Sequence, residues 1–106
     1  MRVQKNSILG GVRDGEVCVL GLGYVGLTLA VTMADIGFKI VGVEALDDIV
    51  ESLSKGVAHF FEPGLDSRLK RVIKSGNLVI KKKIPDHWNG SVYIITVGTP
   101  LDENKR

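Results

Sequence analysis

A chain of 106 residues, 44% hydrophobic and 25% charged, has the make-up of one soluble globular domain. Fourteen Lys and Arg against twelve Asp and Glu leave +2 net, which gives no electrostatic case for nucleic acid or a polybasic membrane anchor. A single cysteine excludes a disulfide within the chain and fits a reducing compartment, so the expected location is cytoplasmic.

Residues 1–15 lack periodicity and carry Gly10, Gly11 and Gly15; they read as a loose leader to a domain over 16–106. Glu16 to Gly21 is a short apolar run that suits a strand buried on both faces. From Tyr24 to Ile36 the apolar residues recur at helical spacing, and Gly37 stops the helix. Val17 to Ala34 contains no charged residue, which invites a membrane-span reading. Glycines at 21, 23 and 26 argue against it, because they fall where a strand turns into a helix.

Phe38–Val43 is a second strand, ending at Glu44. Asp47–Lys55 reads as a helix with acids in its first turn and Gly56 beyond its end. Residues 57–63 form a loop, and Gly64–Ser75 is an amphipathic helix with Leu65, Leu69, Val72 and Ile73 on one face. Leu78–Lys82 is a third strand. Val92–Val97 is a fourth, and its unbroken apolar character predicts cover on both sides.

The order β-α-β-α-α-β-β calls for an α/β fold with a parallel wound sheet. A strand order of 3-2-1-4 makes it half of a doubly wound, Rossmann-like fold. Val92–Val97 is then an edge strand with nothing to blunt it, and residues 101–106 are too few to cover it. The chain is therefore expected to be the front part of a longer protein, or to self-associate through that strand.

Gly21-Leu22-Gly23-Tyr24-Val25-Gly26 matches G-x-G-x-x-G directly after one strand and opening one helix. The first glycine makes the bend, the second admits a pyrophosphate to the backbone, and the third lets helix and strand pack closely. The helix N-terminus offers its N–H groups and dipole to the phosphates. The alternative is a tight turn with a structural role alone. Glu44 lies 18 residues past Gly26, where a carboxylate accepts hydrogen bonds from both adenosine ribose hydroxyls and repels a 2′-phosphate. That favours NAD over NADP; the alternative is a surface glutamate at a strand end. Val97-Gly98-Thr99-Pro100 follows the fourth strand, beside the crevice at the switch point, or is an ordinary strand-ending turn.

Cys18 reads as a small core side chain rather than a nucleophile. His59 and His87 sit in different loops with no third ligand at metal spacing. Lys81-Lys82-Lys83 reads as a solvated strand end, and Trp88 as a cover for core or for a neighbour. No Ser/His/Asp set, paired acids or Walker sequence can be assembled.

GLGYVGLTLA, then VGVE, FEPGLDSRL and VYIITVGTPLDE, spanning Val17 to about Glu103, resemble the N-terminal domain of the UDP-glucose/GDP-mannose dehydrogenase family. Within it the chain is most similar to bacterial nucleotide-sugar 6-dehydrogenases, which make uronic acids for surface polysaccharides. Such enzymes oxidise a sugar C6 hydroxyl to a carboxylate with two NAD⁺ and a cysteine thiohemiacetal.

The resemblance implies that Gly21, Leu22, Gly23, Tyr24, Val25 and Gly26 hold the NAD pyrophosphate and Glu44 the adenosine ribose. It puts Val97, Thr99 and Pro100 along the adenosine or nicotinamide side. Glu62-Pro63-Gly64-Leu65 matches a loop that is structural or adjacent to the cofactor. Three positions depart from the family: Thr28 replaces a proline, Glu44 is one methylene longer than the usual aspartate, and Ile49 replaces a basic residue. The last predicts one cofactor contact fewer and weaker NAD binding. The family's nucleophilic cysteine and catalytic lysine lie downstream of these segments, so the chain is expected to carry the cofactor half-site without the chemistry. Other readings are a stand-alone nucleotide-binding or sensing module, and an S-adenosylmethionine-binding methyltransferase fragment.

Overall fold

β1 (Val17–Leu20) is the centre of the molecule; Val17, Cys18 and Val19 are buried and Leu20 is half-buried. The computed structural model describes residues 17–86, 88, 90 and 92–96. β1 is followed by α1 (Tyr24–Ile36), β2 (Ile40–Val43), α2 (Asp47–Ser54), α3 (Leu65–Ser75), β3 (Leu78–Lys81) and β4 (Val92–Ile95). All four strands are parallel and lie in the order β3-β2-β1-β4. This is the expected 3-2-1-4 arrangement.

The register accounts for the core. Val17 stands opposite both Ile40 and Val92, and Ile40 opposite Leu78, so alternate residues of each strand line one face. Val17, Val19, Ile40, Leu78 and Ile80 on that face pack with Leu27, Ala30 and Val31 of α1, Leu53 of α2, and Leu65, Leu69 and Val72 of α3. α1 ends where Gly37 N–H donates to the Ala34 carbonyl at 3.1 Å and Phe38 N–H to the Met33 carbonyl at 3.1 Å, a Schellman closure.

The edge strand β4 is open on one face. Val92–Val97 is too apolar, by sequence, for an uncovered strand, yet Tyr93 is 51% and Ile95 67% exposed. The described residues between β3 and β4, 82–86, 88 and 90, form no helix that could cover this face. Trp88, one of them, packs edge-on against Tyr93, with ring centroids 4.9 Å apart. No helix among the described residues is long and apolar enough to cross a membrane.

α1 and α3 are also tied at the surface. Arg71 donates to both Asp35 oxygens, at 3.0 and 2.8 Å, and this guanidinium holds the Asp35 carboxyl below its ordinary range. Because the folded carboxyl is the stronger acid, the pair adds stability above the unfolded pKa of about 3.9 and loses it as pH falls through the lower folded value. Arg71→Leu should therefore lower the melting midpoint by a constant amount above about pH 5, with the difference vanishing towards about pH 2. Paired melts across that range measure it; a pH-independent difference would assign the effect to packing.

Candidate functional site

The carboxyl end of β1 turns into α1 through the glycine run, and each glycine meets a different surrounding. Gly21 has φ of +93°, and a Cβ there would overlap the Thr96 carbonyl oxygen and lie 3.1 Å from its carbon. A Cβ on Gly26 would overlap the Gly21 carbonyl oxygen and stand 2.9 Å from its carbon. Both positions are closed by the protein itself. Gly23 has φ of −72°, which any residue adopts, and a Cβ there meets nothing within 4 Å among the described residues. No described residue requires glycine at 23, whereas a ligand lying on the backbone there would.

Gly23 is also the N-cap of α1. No side chain caps this helix and no acid stands in its first turn. The first-turn N–H groups and the positive end of the dipole thus face the open space over Gly23. Those are the features of an anion cradle.

Glu44 follows β2 and reaches this turn. Its Oε1 accepts from Leu22 N–H at 3.1 Å and its Oε2 from Leu46 N–H at 3.3 Å. An ionised carboxylate offers about four acceptor sites, so two remain for hydroxyl donors. The carboxylate bridges the glycine turn and the loop after β2, which is more than a surface glutamate does. Sequence reasoning left Glu44 and the glycine turn as separate observations; the structure joins them through one hydrogen bond.

Thr96 was missed by sequence reasoning. Its Oγ1 donates to the Gly21 carbonyl at 2.6 Å, while its N–H donates to the Leu20 carbonyl at 2.8 Å. It thereby fastens the end of β4 to the glycine turn. The available signal was a lone hydroxyl at the end of the apolar run VYIIT. Val97, Thr99 and Pro100, expected beside the cofactor, lie outside the described residues.

The Glu62-Pro63-Gly64-Leu65 segment serves both packing and the site. Leu65 is fully buried, and Glu62 Oε1 accepts from the Tyr24 hydroxyl at 3.2 Å. Tyr24 also packs on Phe60, centroids 5.2 Å apart, so the loop braces the start of α1. Thr28 bonds back to the Tyr24 carbonyl at 2.8 Å, within the helix. Ile49, standing where a basic residue was expected, packs against the core.

Cys18 is buried at the middle of β1, and burial pushes its thiol pKa up, the opposite of what a nucleophile needs. Among the described residues no group of three or more His, Cys, Asp or Glu is placed to hold a metal ion. His87 lies outside the described residues.

A 3-2-1-4 parallel sheet with a glycine turn into a bare helix N-terminus, and an acid after β2, defines a Rossmann-like, dinucleotide-binding domain. The model of the NAD-binding domain of the UDP-glucose/GDP-mannose dehydrogenase family matches residues 15–106, and the chain belongs to that family. UDP-N-acetyl-D-mannosamine dehydrogenase of Pyrococcus horikoshii is 40% identical over 86 residues, which cover 81% of this chain and 21% of that protein. The solved structure of UDP-D-ManNAc dehydrogenase from the same organism aligns with a TM-score of 0.75 at 38% identity, over 84% of this chain and 21% of the other. GDP-mannose dehydrogenase of Pseudomonas aeruginosa, solved as a ternary complex, aligns with a TM-score of 0.74 at 27% identity, over 86% and 21%. The chain thus spans about a fifth of the length of these relatives. NAD is the cofactor of the matched domain.

Proposed function

We propose that this chain holds the NAD of a nucleotide-sugar 6-dehydrogenase, an enzyme that oxidises the C6 hydroxyl of a UDP- or GDP-sugar to a carboxylate. In this reading the domain over 16–106 is one part of a longer cytoplasmic protein of polysaccharide biosynthesis. The observation that carries it is Gly23, a glycine that no described residue demands, at the mouth of an uncapped helix. The pyrophosphate lies over Gly21 to Gly26 and takes hydrogen bonds from the first-turn N–H groups of α1. The free acceptor sites of Glu44 take the adenosine ribose hydroxyls. Val97, Thr99 and Pro100 continue the cofactor's path beyond Thr96.

Bound NAD⁺ supplies a hydride acceptor. The part of the chain's own residues in this reading is to bind and orient it; Cys18, buried in β1, takes no part. The nucleotide sugar and the catalytic groups belong to the remainder of the enzyme.

Calorimetric titration with NAD⁺, NADP⁺ and S-adenosylmethionine tests the reading. NAD⁺ should bind saturably, NADP⁺ much more weakly, and S-adenosylmethionine not at all. Glu44→Ala removes both ribose acceptors and two backbone partners, and should raise the NAD⁺ Kd by about 10- to 100-fold. Saturable S-adenosylmethionine binding with no response to NAD⁺ would refute the proposal.

A further inference from the structure

Lysines 81–83 read from sequence as a solvated strand end, but the sheet register brings the run to the edge of the cofactor site. Lys81 stands opposite Val43, and the Glu44 N–H donates to the Lys81 carbonyl at 2.9 Å. The next residue, Lys82, has its ammonium group paired with Asp47. Asp47 opens α2 and follows Leu46, whose N–H holds Glu44 Oε2. One short segment therefore presents two carboxylates, Glu44 towards the glycine turn and Asp47 towards Lys82.

The Asp47–Lys82 side chains are 74% and 60% exposed, and pairs of that exposure contribute little to stability. Their effect is on charge: they keep a cation neutralised at the rim of the site. A 2′-phosphate on the adenosine ribose is a near-dianion that needs such a cation, and a basic group near the end of β2 is how NADP is accommodated. Position 49 supplies none, since Ile49 is committed to the core. The cation paired beside this segment is Lys82, the residue that follows β3.

We propose that discrimination against NADP is shared by two acids: Glu44, which repels the 2′-phosphate directly, and Asp47, a specificity-determining residue that keeps Lys82 from it. The inference rests on the assignment of Glu44 to the adenosine ribose. It predicts that a cation site for the 2′-phosphate is already built and is masked by Asp47.

The test is the ratio of NADP⁺ to NAD⁺ dissociation constants, by calorimetry, for the parent chain, Glu44→Gln, Glu44→Gln with Asp47→Asn, and that pair with Lys82→Ala. Glu44→Gln should lower the ratio, and adding Asp47→Asn should lower it by about threefold more, the worth of the exposed pair that Lys82 no longer has to break. Lys82→Ala should return that gain, and the gain should shrink in high salt as a charge–charge contact does. A ratio unmoved by Asp47→Asn, or a gain that survives Lys82→Ala, would overturn the role of Asp47 while leaving that of Glu44. If Glu44→Gln itself changes neither constant, the ribose assignment fails and this inference fails with it.

Discussion

Gly23→Val is expected to abolish measurable NAD⁺ binding, raising Kd by at least about 100-fold, while the chain stays folded. The backbone at 23, φ −72° and ψ −159°, is extended and suits a β-branched residue. A Cβ there meets no atom of the described residues within 4 Å, so it projects into the space assigned to the pyrophosphate. Losing glycine as N-cap costs at most about 1 kcal/mol. For a domain of this size that is a fall of no more than about 8 °C in melting midpoint.

Gly26→Ala, three residues away, should behave in the opposite sense. Its methyl group would overlap the Gly21 carbonyl oxygen, a backbone atom with no freedom to swing aside. Overpacking of that kind costs about 3 kcal/mol or more, against about 1 kcal/mol gained in helix propensity. That is a large share of a total stability of about 5–15 kcal/mol. Thermal melts followed by circular dichroism, beside the same calorimetry, separate the two outcomes. Equal melting losses in both variants would mean that Gly23 has a structural role, and the site would lose its main support.

Thr96→Val is the second large effect. The substitution keeps the shape of the side chain and replaces the hydroxyl that donates to the Gly21 carbonyl at 2.6 Å with a methyl. It leaves that half-buried carbonyl unsatisfied, for a loss of about 1–3 kcal/mol. The Gly21 turn also sets the direction of Leu22 and Gly23, so NAD⁺ affinity should fall by about tenfold. Thr96→Ser retains the donor and should restore both quantities. If Thr96→Ser were as poor as Thr96→Val, the methyl group rather than the hydroxyl would be what matters, and the fastening of β4 to the turn would be a packing effect.

The helices were legible because glycines mark their ends: Gly37 and Gly76 follow two of them and Gly23 precedes one. The strands were legible as apolar runs, but their ends were not: β2 begins at Ile40 rather than Phe38 and β4 ends at Ile95 rather than Val97. The 3-2-1-4 order was the doubly wound pattern that alternating strands and helices suggest. What escaped were contacts between residues distant in the chain. Thr96 and Gly21 are 75 positions apart, and Tyr24 and Glu62 are 38 apart. No periodicity within a segment carries such information. The lysine run failed to read as part of the site for a similar reason: only the β2–β3 register brings Lys81 beside Glu44. The exposed Tyr93 and Ile95 fit the apolar edge strand that the sequence leaves without cover.

The most direct test of the NAD site is a titration of the isotope-labelled chain with NAD⁺, followed amide by amide by NMR. The account predicts saturable shifts concentrated at residues 22–27 and 44–46, with Gly23 and Tyr24 among the largest. Saturable shifts centred on Tyr93 and Ile95, with the glycine turn unmoved, would contradict it.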